Sequence, residues 1–274
     1  MSKNPYEVIP ATILDIIEES PTIRTIKVKP ERALPFKTGQ FIELTIPNIG
    51  EGPFTPSSAD NVSEVMDITI MKAGFVTEYV HKTKVGDRVG LRGPYGTCYP
   101  IQSWQGKDVL IMGGGVGLAP TRSLFLSLLN HIDDYRSVTF LMGARTPADM
   151  IYKNLVEGWR KLPKVQILRS VDRVPDGESW AEEVCLVTKL LNKISFNPKD
   201  NPVVVCGPPI MMKFGTFDLL KYGYAPKDIY LSMEKKMYCG IGQCRHCVFG
   251  KYYACKDGPV FTYETVKDEE NIWE

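Results

Sequence analysis

The first hundred residues alternate short apolar stretches with turn-forming residues. Four stretches rich in Ile, Thr and Val predict β-strands, and Pro, Gly or Asn interrupts the chain between them. These strands are Ala11–Ile17, Thr22–Val28, Gln40–Ile46 and Val65–Met71. Two further brief strands separated by tight turns are expected within Val85–Gly96. The pattern is typical of a small antiparallel barrel or sandwich.

From Asp108 onward the pattern changes to continuous apolar runs that alternate with helical spacing. Such runs predict parallel strands buried on both faces, and they are Val109–Met112, Val138–Met142, Val165–Leu168, Val203–Cys206 and Ile229–Leu231. The apolar positions of Leu124–Leu129 predict one helix, and capping patterns predict two others that begin at Thr146 and at Ser179. Alternating strands and helices indicate a doubly wound α/β domain.

A third kind of sequence occupies the last forty residues. Four cysteines and several glycines crowd into Glu234–Tyr263, a segment too small to form a hydrophobic core of its own. Small segments of this kind are usually held together by a metal. We therefore predict three parts: a barrel over residues 1–103, an α/β domain over 104–232 and a cysteine module with its tail over 233–274.

The cysteine spacing indicates which metal group the module holds. Cys239, Cys244, Cys247 and Cys255 form a C-x4-C-x2-C-x7-C pattern, which matches the plant-type [2Fe–2S] arrangement. A structural zinc site is the alternative, although zinc sites more often contain two C-x2-C pairs. The spacing therefore favours an iron–sulfur cluster over zinc.

Two short motifs lie where predicted parallel strands end. A glycine-rich turn, Gly113–Pro120, follows the first strand of the α/β domain and precedes its first helix, so its backbone can approach a pyrophosphate. Cys206-Gly207-Pro208 follows another strand. Carboxyl ends of parallel strands form the ligand-binding edge of open sheets. A buried cysteine followed by a helix start is the purely structural alternative for the second motif.

Composition and charge exclude several classes of protein. Thirty-three basic and thirty-two acidic residues give a formal net charge of +1, which argues against a nucleic-acid or anionic-membrane binder. No apolar run is long enough for a membrane span, and the first residues contain no apolar leader. Seven cysteines, an odd number, suit a reducing compartment better than a disulfide framework. We therefore expect a cytoplasmic protein with no membrane insertion.

Taken together, these motifs resemble the ferredoxin–NADP⁺ reductase superfamily, in the branch that carries a C-terminal [2Fe–2S] module. That branch includes hydrogenase or sulfhydrogenase gamma subunits, the corresponding subunit of anaerobic sulfite reductase and the electron-transfer subunit of dihydroorotate dehydrogenase B. The resemblance implies a six-stranded antiparallel Greek-key barrel for FAD, followed by a parallel-sheet NAD(P) domain. The x7 gap before Cys255 is closer to the hydrogenase and sulfite reductase proteins than to the dihydroorotate branch.

The resemblance also assigns site residues. Thr55 would hydrogen-bond near the reactive flavin N5, and Cys206 would align the nicotinamide C4 without acting as a nucleophile. The flavin-binding residues it implies are Pro53, Phe54, Thr55, Ile70, Met71, Lys72, Gly74, Val76 and Thr77. Its nucleotide-binding residues are Gly114, Gly115, Val116, Gly117, Leu118, Ala119, Pro120, Cys206, Gly207 and Pro208. Gly52 departs from the family pattern, which often has an arginine there, and Lys72 is a candidate substitute cation.

The predicted function is that of a relay between NAD(P)H, FAD, a [2Fe–2S] cluster and a partner subunit of an anaerobic redox complex. Such complexes include hydrogenases and sulfur, sulfite or heterodisulfide reductases. Two alternatives are a stand-alone NAD(P)H:acceptor reductase and a zinc-stabilised, non-catalytic binding module. The choice between NAD and NADP is open, because Arg145 suits a 2′-phosphate and Asp172 suits a free ribose hydroxyl.

Overall fold

The computed structural model describes residues 4–62 and 64–273, and its first hundred residues form an antiparallel sheet of six strands with one short helix. The strands are β1 Ile9–Ser20, β2 Ile23–Pro30, β3 Phe41–Ile46, β4 Gly50–Phe54, β5 Met66–Met71 and β6 Arg88–Tyr95, and the helix is α1 Phe75–Val80. Their order in the sheet is β4-β3-β6-β1-β2-β5. Because β4 and β5, at the two ends of this order, also contact each other, the sheet curls into a barrel. The predicted antiparallel barrel is confirmed.

One prediction within the barrel is wrong. Residues 88–95 form a single strand instead of two brief strands separated by a turn. Gly90 lies within this strand opposite Thr45, where a Cβ would come within 2.4 Å of the Val8 side chain. This glycine therefore permits close packing and does not mark a turn.

The second part of the chain forms a parallel sheet flanked by helices. Its strands are β7 Asp108–Gly114, β8 Ser137–Ala144, β9 Val165–Val171, β10 Glu183–Val184, β11 Val203–Cys206 and β12 Ile229–Ser232, with helices α2 Leu118–Leu129, α3 Lys153–Trp159 and α4 Pro209–Lys221. The strand order is β10-β9-β8-β7-β11-β12, which reverses direction beside β7. Short 3₁₀ segments span Ile101–Trp104, Gly115–Gly117, Ile132–Asp134, Val187–Lys193 and Pro226–Asp228. The predicted α/β fold is confirmed.

Two predicted helix starts are wrong, and tertiary contacts explain both. Thr146 and Asp149 make the expected capping-type hydrogen bonds, but they close a turn, and α3 begins only at Lys153. No helix begins at Ser179. Glu182, which would have completed that capping box, instead pairs with Arg160 and Arg169. The capping patterns are therefore real local signals whose side chains form other contacts.

The third part is built around the cysteines and returns to the second sheet. Its elements are β13 Val248–Phe249, β14 Tyr252–Tyr253, α5 Ala254–Asp257, β15 Val260–Thr262 and α6 Tyr263–Val266. Strands β13 and β14 form a small hairpin, whereas β15 pairs antiparallel with β12. The module also shares a buried cluster with the α/β domain, in which Cys247 and Cys255 pack together with Leu231. The cysteine module is thus an extension of the second sheet.

A polar seam joins the barrel to the α/β domain. Arg122 of α2 donates hydrogen bonds to the Ser57 carbonyl and to the Asp67 carboxylate. The Tyr152 hydroxyl bonds to that of Thr69, 2.7 Å away, at a buried position. These contacts fix the barrel segment after β4 against the nucleotide domain. Among the described helices, none combines the length and the apolar composition needed to cross a membrane.

Candidate functional site

The glycine-rich turn and the Cys206 motif meet at the carboxyl edge of the second sheet. Strands β7 and β11 are neighbours, and Cys206 lies level with Gly113. A Cβ on Gly117 would come within 2.5 Å of the Cys206 carbonyl oxygen and 2.6 Å of the Gly207 Cα. Gly115 has a φ of +58°, a backbone conformation that glycine adopts without strain. The two sequence motifs therefore form one compact turn pair.

The other predicted residues of this turn continue from it. Val116 lies in the 3₁₀ segment, and Leu118, Ala119 and Pro120 form the first turn of α2. Pro208 precedes α4, which begins at Pro209. Two helix N-termini thus lie beside the same turn pair, where their free amides and dipoles favour an anionic pyrophosphate. The residues fit the nucleotide that the sequence predicts.

Cys206 is a buried thiol at this edge. Burial raises its pKa to about 12; a hydrogen bond with Ser232 opposes the shift, and the charge of Glu234 adds a smaller contribution to it. The side chain is therefore a neutral thiol near pH 7, which agrees with an aligning role and not with a nucleophilic one. Glu234 is not among the site residues that the sequence predicts. It follows β12, so the rule applied to the other strand ends would have found it.

The candidate phosphate-selecting residues lie at the ends of β8 and β9. Arg145 directly follows β8, its side chain is 77% exposed, and it faces Asp149 at 3.8 Å. Its backbone carbonyl accepts a hydrogen bond from Arg173. Burial raises the pKa of Asp172, and the charge of Arg145 opposes that shift. The basic and the acidic candidate therefore lie close together.

The predicted flavin-binding residues come from three elements on one side of the barrel. Pro53 and Phe54 end β4 and Thr55 follows it, while Ile70 and Met71 end β5 and Lys72 follows that strand. Gly74 precedes α1, which contains Val76 and Thr77. Helix α1 contacts β4. The Thr77 hydroxyl closes the helix start by accepting the amides of Ala73 and Gly74.

Local packing explains why a glycine occupies position 52. A Cβ at this position would lie 3.1 Å from the Phe54 ring and 4.0 Å from the Val76 side chain. The ring therefore covers the glycine, and a longer side chain would displace it. Lys72 is exposed at the end of β5, which is compatible with the substitute role that the sequence suggests.

The flavin side of the barrel reaches the nucleotide turn directly. Strand β5 contacts the Gly115–Gly117 segment. The chain after Thr55 enters the contact between the barrel and the α/β domain, where the Ser57 carbonyl accepts a hydrogen bond from Arg122. A flavin held by β4, β5 and α1 would therefore lie beside a nicotinamide held at the glycine turn.

The four cysteines are arranged as two pairs. The Cys244 thiol lies within hydrogen-bonding reach of Cys239, and the Cys255 thiol lies within reach of Cys247. Two thiolates on each of two irons is the arrangement that a [2Fe–2S] cluster requires. In the described ranges, His, Cys, Asp and Glu side chains form no group of three or more that could hold one metal ion. The pairing fits a binuclear cluster.

Backbone amides point at the cysteine sulfurs. Cys239 Sγ accepts the amides of Ile241, Gln243 and Cys244 at 3.3–3.5 Å, and Cys255 Sγ accepts that of Gly242 at 3.1 Å. Glycines at 240 and 242, with φ near +75°, permit this curl. Such hydrogen bonds stabilise thiolate charge and tune a cluster's potential. Of the four cysteines, only Cys244 is partly exposed.

Two ionisable barrel residues that the sequence does not mark as site residues face the cysteine loop. Arg92 of β6 bonds to the Cys239 carbonyl oxygen at 3.1 Å. Glu43 of β3 lies opposite Arg92, is fully buried, and has no hydrogen-bond partner for either carboxyl oxygen within the described structure. Neither residue belongs to a recognisable local motif, and each meets the loop only through the fold.

Glu43 is expected to be a neutral acid at pH 7. Burial raises its pKa to about 8; Arg92 opposes the shift, and Glu51, Cys239 and Cys244 add to it. The folded chain then holds one proton more than the unfolded chain between about pH 4.5 and 8. Stability should therefore fall as pH rises through this window, by at most about 1.4 kcal/mol per pH unit.

Infrared difference spectroscopy of the oxidised holoprotein checks this expectation. At pH 6.5 the wild type should show the C=O stretch of a buried neutral carboxylic acid, and the band should disappear as pH rises past 8. Glu43→Gln, which keeps the shape of the side chain, should lack the band at every pH. A band that survives in this variant, or none in the wild type at pH 6.5, would contradict the assignment.

Three family models match separate segments of the chain. The model for an oxidoreductase FAD-binding domain matches residues 11–99, and that for an oxidoreductase NAD-binding domain matches 111–216. The model for the iron–sulfur cluster binding domain of dihydroorotate dehydrogenase B matches residues 234–267. The predicted cofactors, FAD, NAD(P)H and an iron–sulfur cluster, are therefore those of the matching domains.

Curated relatives and a solved structure match most of the length of the chain. Sulfhydrogenase 1 subunit gamma of Pyrococcus furiosus is 38% identical over 83% of this chain and 80% of its own. A probable dihydroorotate dehydrogenase B electron transfer subunit of Methanocella arvoryzae is 34% identical over 96% of this chain and 93% of its own. The structure of an NADH-dependent reduced ferredoxin-NADP oxidoreductase matches with a TM-score of 0.75 and 22% identity, covering 96% and 90% of the two chains. The chain therefore belongs to the ferredoxin reductase-like family of FAD- and NAD-binding oxidoreductase subunits with a C-terminal iron–sulfur domain, to which these two relatives belong.

Proposed function

We propose that this chain is the electron-transfer subunit of a multi-subunit redox complex and moves electrons between NAD(P)H and a partner subunit. The observation that carries this proposal is the contact of β5 with the Gly115–Gly117 turn, because it brings the flavin side of the barrel to the nucleotide site. At another face of the barrel, Arg92 binds the first cysteine segment. These two contacts support a relay in which the barrel lies between the nucleotide turn and the cysteine loop.

The chemistry of the groups supports that order. FAD, when bound, exchanges a hydride with nicotinamide and single electrons with an iron–sulfur cluster. In this proposal the glycine turn binds the pyrophosphate, the neutral Cys206 thiol packs beside the nicotinamide, and Thr55 hydrogen-bonds near the flavin N5. No acid–base pair or activated nucleophile is needed from the protein.

The partner is inferred from the relatives. They include gamma subunits of sulfhydrogenases and electron-transfer subunits of dihydroorotate dehydrogenase B. The x7 spacing before Cys255 favours a hydrogenase, or a sulfur, sulfite or heterodisulfide reductase, over the dihydroorotate enzyme. A cytoplasmic location is part of the proposal, because four thiols must stay reduced until a cluster is assembled.

Anaerobic isolation of the tagged chain from its native host tests the proposal. We expect a second redox subunit to co-purify. Adding NADH or NADPH should bleach the flavin absorption and produce the electron paramagnetic resonance (EPR) signal of a reduced [2Fe–2S] cluster. A stable monomer that is fully active with a soluble carrier would establish a stand-alone reductase instead. A colourless, zinc-containing chain would establish the non-catalytic alternative.

Nucleotide selection provides a separate prediction. If Arg145 binds a 2′-phosphate, Arg145→Ala should raise the KM for NADPH about tenfold, the equivalent of about 1.4 kcal/mol, and leave that for NADH unchanged. Steady-state dye reduction with each nucleotide measures both constants. Arg136→Ala is the matched control, because this exposed arginine lies at the opposite end of β8. Equal changes in the two KM values would reject the role of Arg145.

A further inference from the structure

One buried arginine connects the barrel to the cysteine module. Arg92 lies in β6 with only 3% of its side chain exposed. Its Nε and Nη2 groups donate to the Glu51 carboxylate at 2.7–3.0 Å. Nη1 donates to the Tyr95 hydroxyl at 3.0 Å and to the Cys239 carbonyl at 3.1 Å, and Nη2 also donates to the Tyr238 carbonyl. All five N–H groups are therefore used.

These hydrogen bonds hold the peptide that carries the first cysteine. Residues 238 and 239 are 146 and 147 positions away in sequence, so the contact joins two parts of the fold. The next residue, Gly240, has a φ of +75°, and a Cβ there would come within 2.7 Å of the Tyr95 ring. Arg92 thus binds the start of the cysteine loop to the barrel, and the Tyr95 ring packs against it.

The Arg92 guanidinium also supplies positive charge close to the cysteine loop. Hydrogen bonds from Arg92 lower the pKa of Glu51, so the pair is ionised and neutral overall near pH 7. Without the guanidinium, the Glu51 carboxylate would be left uncompensated beside the cysteine loop. A lysine would keep the charge but lacks the planar set of donors that reaches four partners.

We propose that Arg92 is a positioning residue that fixes the first-cysteine segment against the flavin barrel and raises the reduction potential of the cluster. The inference rests on the proposed function in so far as the cysteines hold the electron-accepting cluster. Positioning and charge are separate contributions, and the neighbouring Glu51 allows them to be separated. Glu51→Gln in an Arg92→Met background removes the uncompensated charge without restoring the hydrogen bonds.

Redox titration of the holoprotein followed by EPR provides the first test. Arg92→Met should lower the midpoint potential of the cluster by about 59 mV. This shift corresponds to a tenfold change in the one-electron equilibrium constant. Arg92→Lys should lower it less, and the Arg92→Met/Glu51→Gln double variant should recover part of the shift. Arg88→Met is the matched control, because Arg88 lies in the same strand, is half-exposed and pairs with Glu31.

Hydrogen–deuterium exchange provides the second test, which does not depend on electron transfer. The amides of residues 239–244 should exchange at least about tenfold faster in both Arg92→Met variants than in wild type, since the lost hydrogen bonds are not replaced. Bound FAD reports whether the barrel has folded. If Arg92→Met does not fold, Arg92→Lys decides, because it too should lower the potential and speed exchange.

The outcomes distinguish this inference from the proposed function. A wild-type chain without iron and sulfide, or one that NAD(P)H does not reduce, would overturn the proposed function. A wild type that behaves as a relay, together with Arg92 variants whose cluster potential and loop exchange are unchanged, would overturn only the positioning role. If the cluster potential changed while amide exchange in the loop did not, Arg92 would act only as a charge, and its role in fixing the loop would be overturned.

Discussion

Replacing Gly117 with alanine should reduce kcat/KM for NAD(P)H about 30-fold. The added Cβ would lie 2.5 Å from the Cys206 carbonyl oxygen and 2.6 Å from the Gly207 Cα. Both atoms belong to backbone, so no side chain can rotate away, and the two turns must separate. Overpacking of this kind costs about 2 kcal/mol, and a change of that size in transition-state binding gives the stated factor. Stopped-flow reduction of the flavin measures the effect.

The variant should keep its other redox properties. Dithionite should still reduce its flavin and cluster, which separates a damaged nucleotide site from a misfolded chain. Gly158→Ala is the matched control, because Gly158 lies in α3 and, among the described residues, no atom outside its own helix backbone lies within 4 Å of its Cβ position. If Gly117→Ala retains kcat/KM within threefold of wild type, the turn pair is not where the nicotinamide nucleotide binds.

Local patterns in the sequence predict most strands of the two sheets, the order of the three parts and the main motifs. The glycine-rich turn and the cysteine quartet are short segments whose chemistry depends on neighbours in sequence, so spacing alone reveals them. The meeting of Gly117 with Cys206 also follows from a simple rule, because adjacent parallel strands end at the same edge. Predictions of this type need little knowledge of the tertiary structure.

The wrong helix starts and the missed site residues occur where tertiary contacts determine what a side chain does. Thr146 and Glu182 carry good helix-capping signals, but one closes a turn and the other pairs with two arginines. Arg92 and Glu43 lie in strands whose sequence gives no hint that a loop nearly 150 or 200 residues later covers them. A buried charge is recognisable only when the fold shows what surrounds it.

Cys255→Ala should abolish the cluster while leaving the flavin reducible by NAD(P)H. Cys255 is fully buried, lies beside Cys247 and accepts the Gly242 amide at its sulfur. Its loss leaves one iron of a binuclear cluster with a single thiolate, which cannot hold the cluster. Electron delivery to the partner should then fall at least about a hundredfold. Iron, sulfide and zinc analysis, EPR and dye reduction measure these effects separately.

A control variant and metal analysis together distinguish an iron–sulfur cluster from a zinc site. Cys185→Ala should keep its iron and sulfide, because this partly exposed cysteine lies beside β10, outside the module. Wild type with two irons and two sulfides, both lost in Cys255→Ala, would identify the paired cysteines as ligands of one binuclear cluster. One zinc in wild type would instead assign the module a structural role, and the flavin would then have no one-electron acceptor within the chain. The C-x4-C-x2-C-x7-C spacing argues for the first result, because it matches the plant-type [2Fe–2S] pattern and contains only one of the C-x2-C pairs that zinc sites usually have in twos.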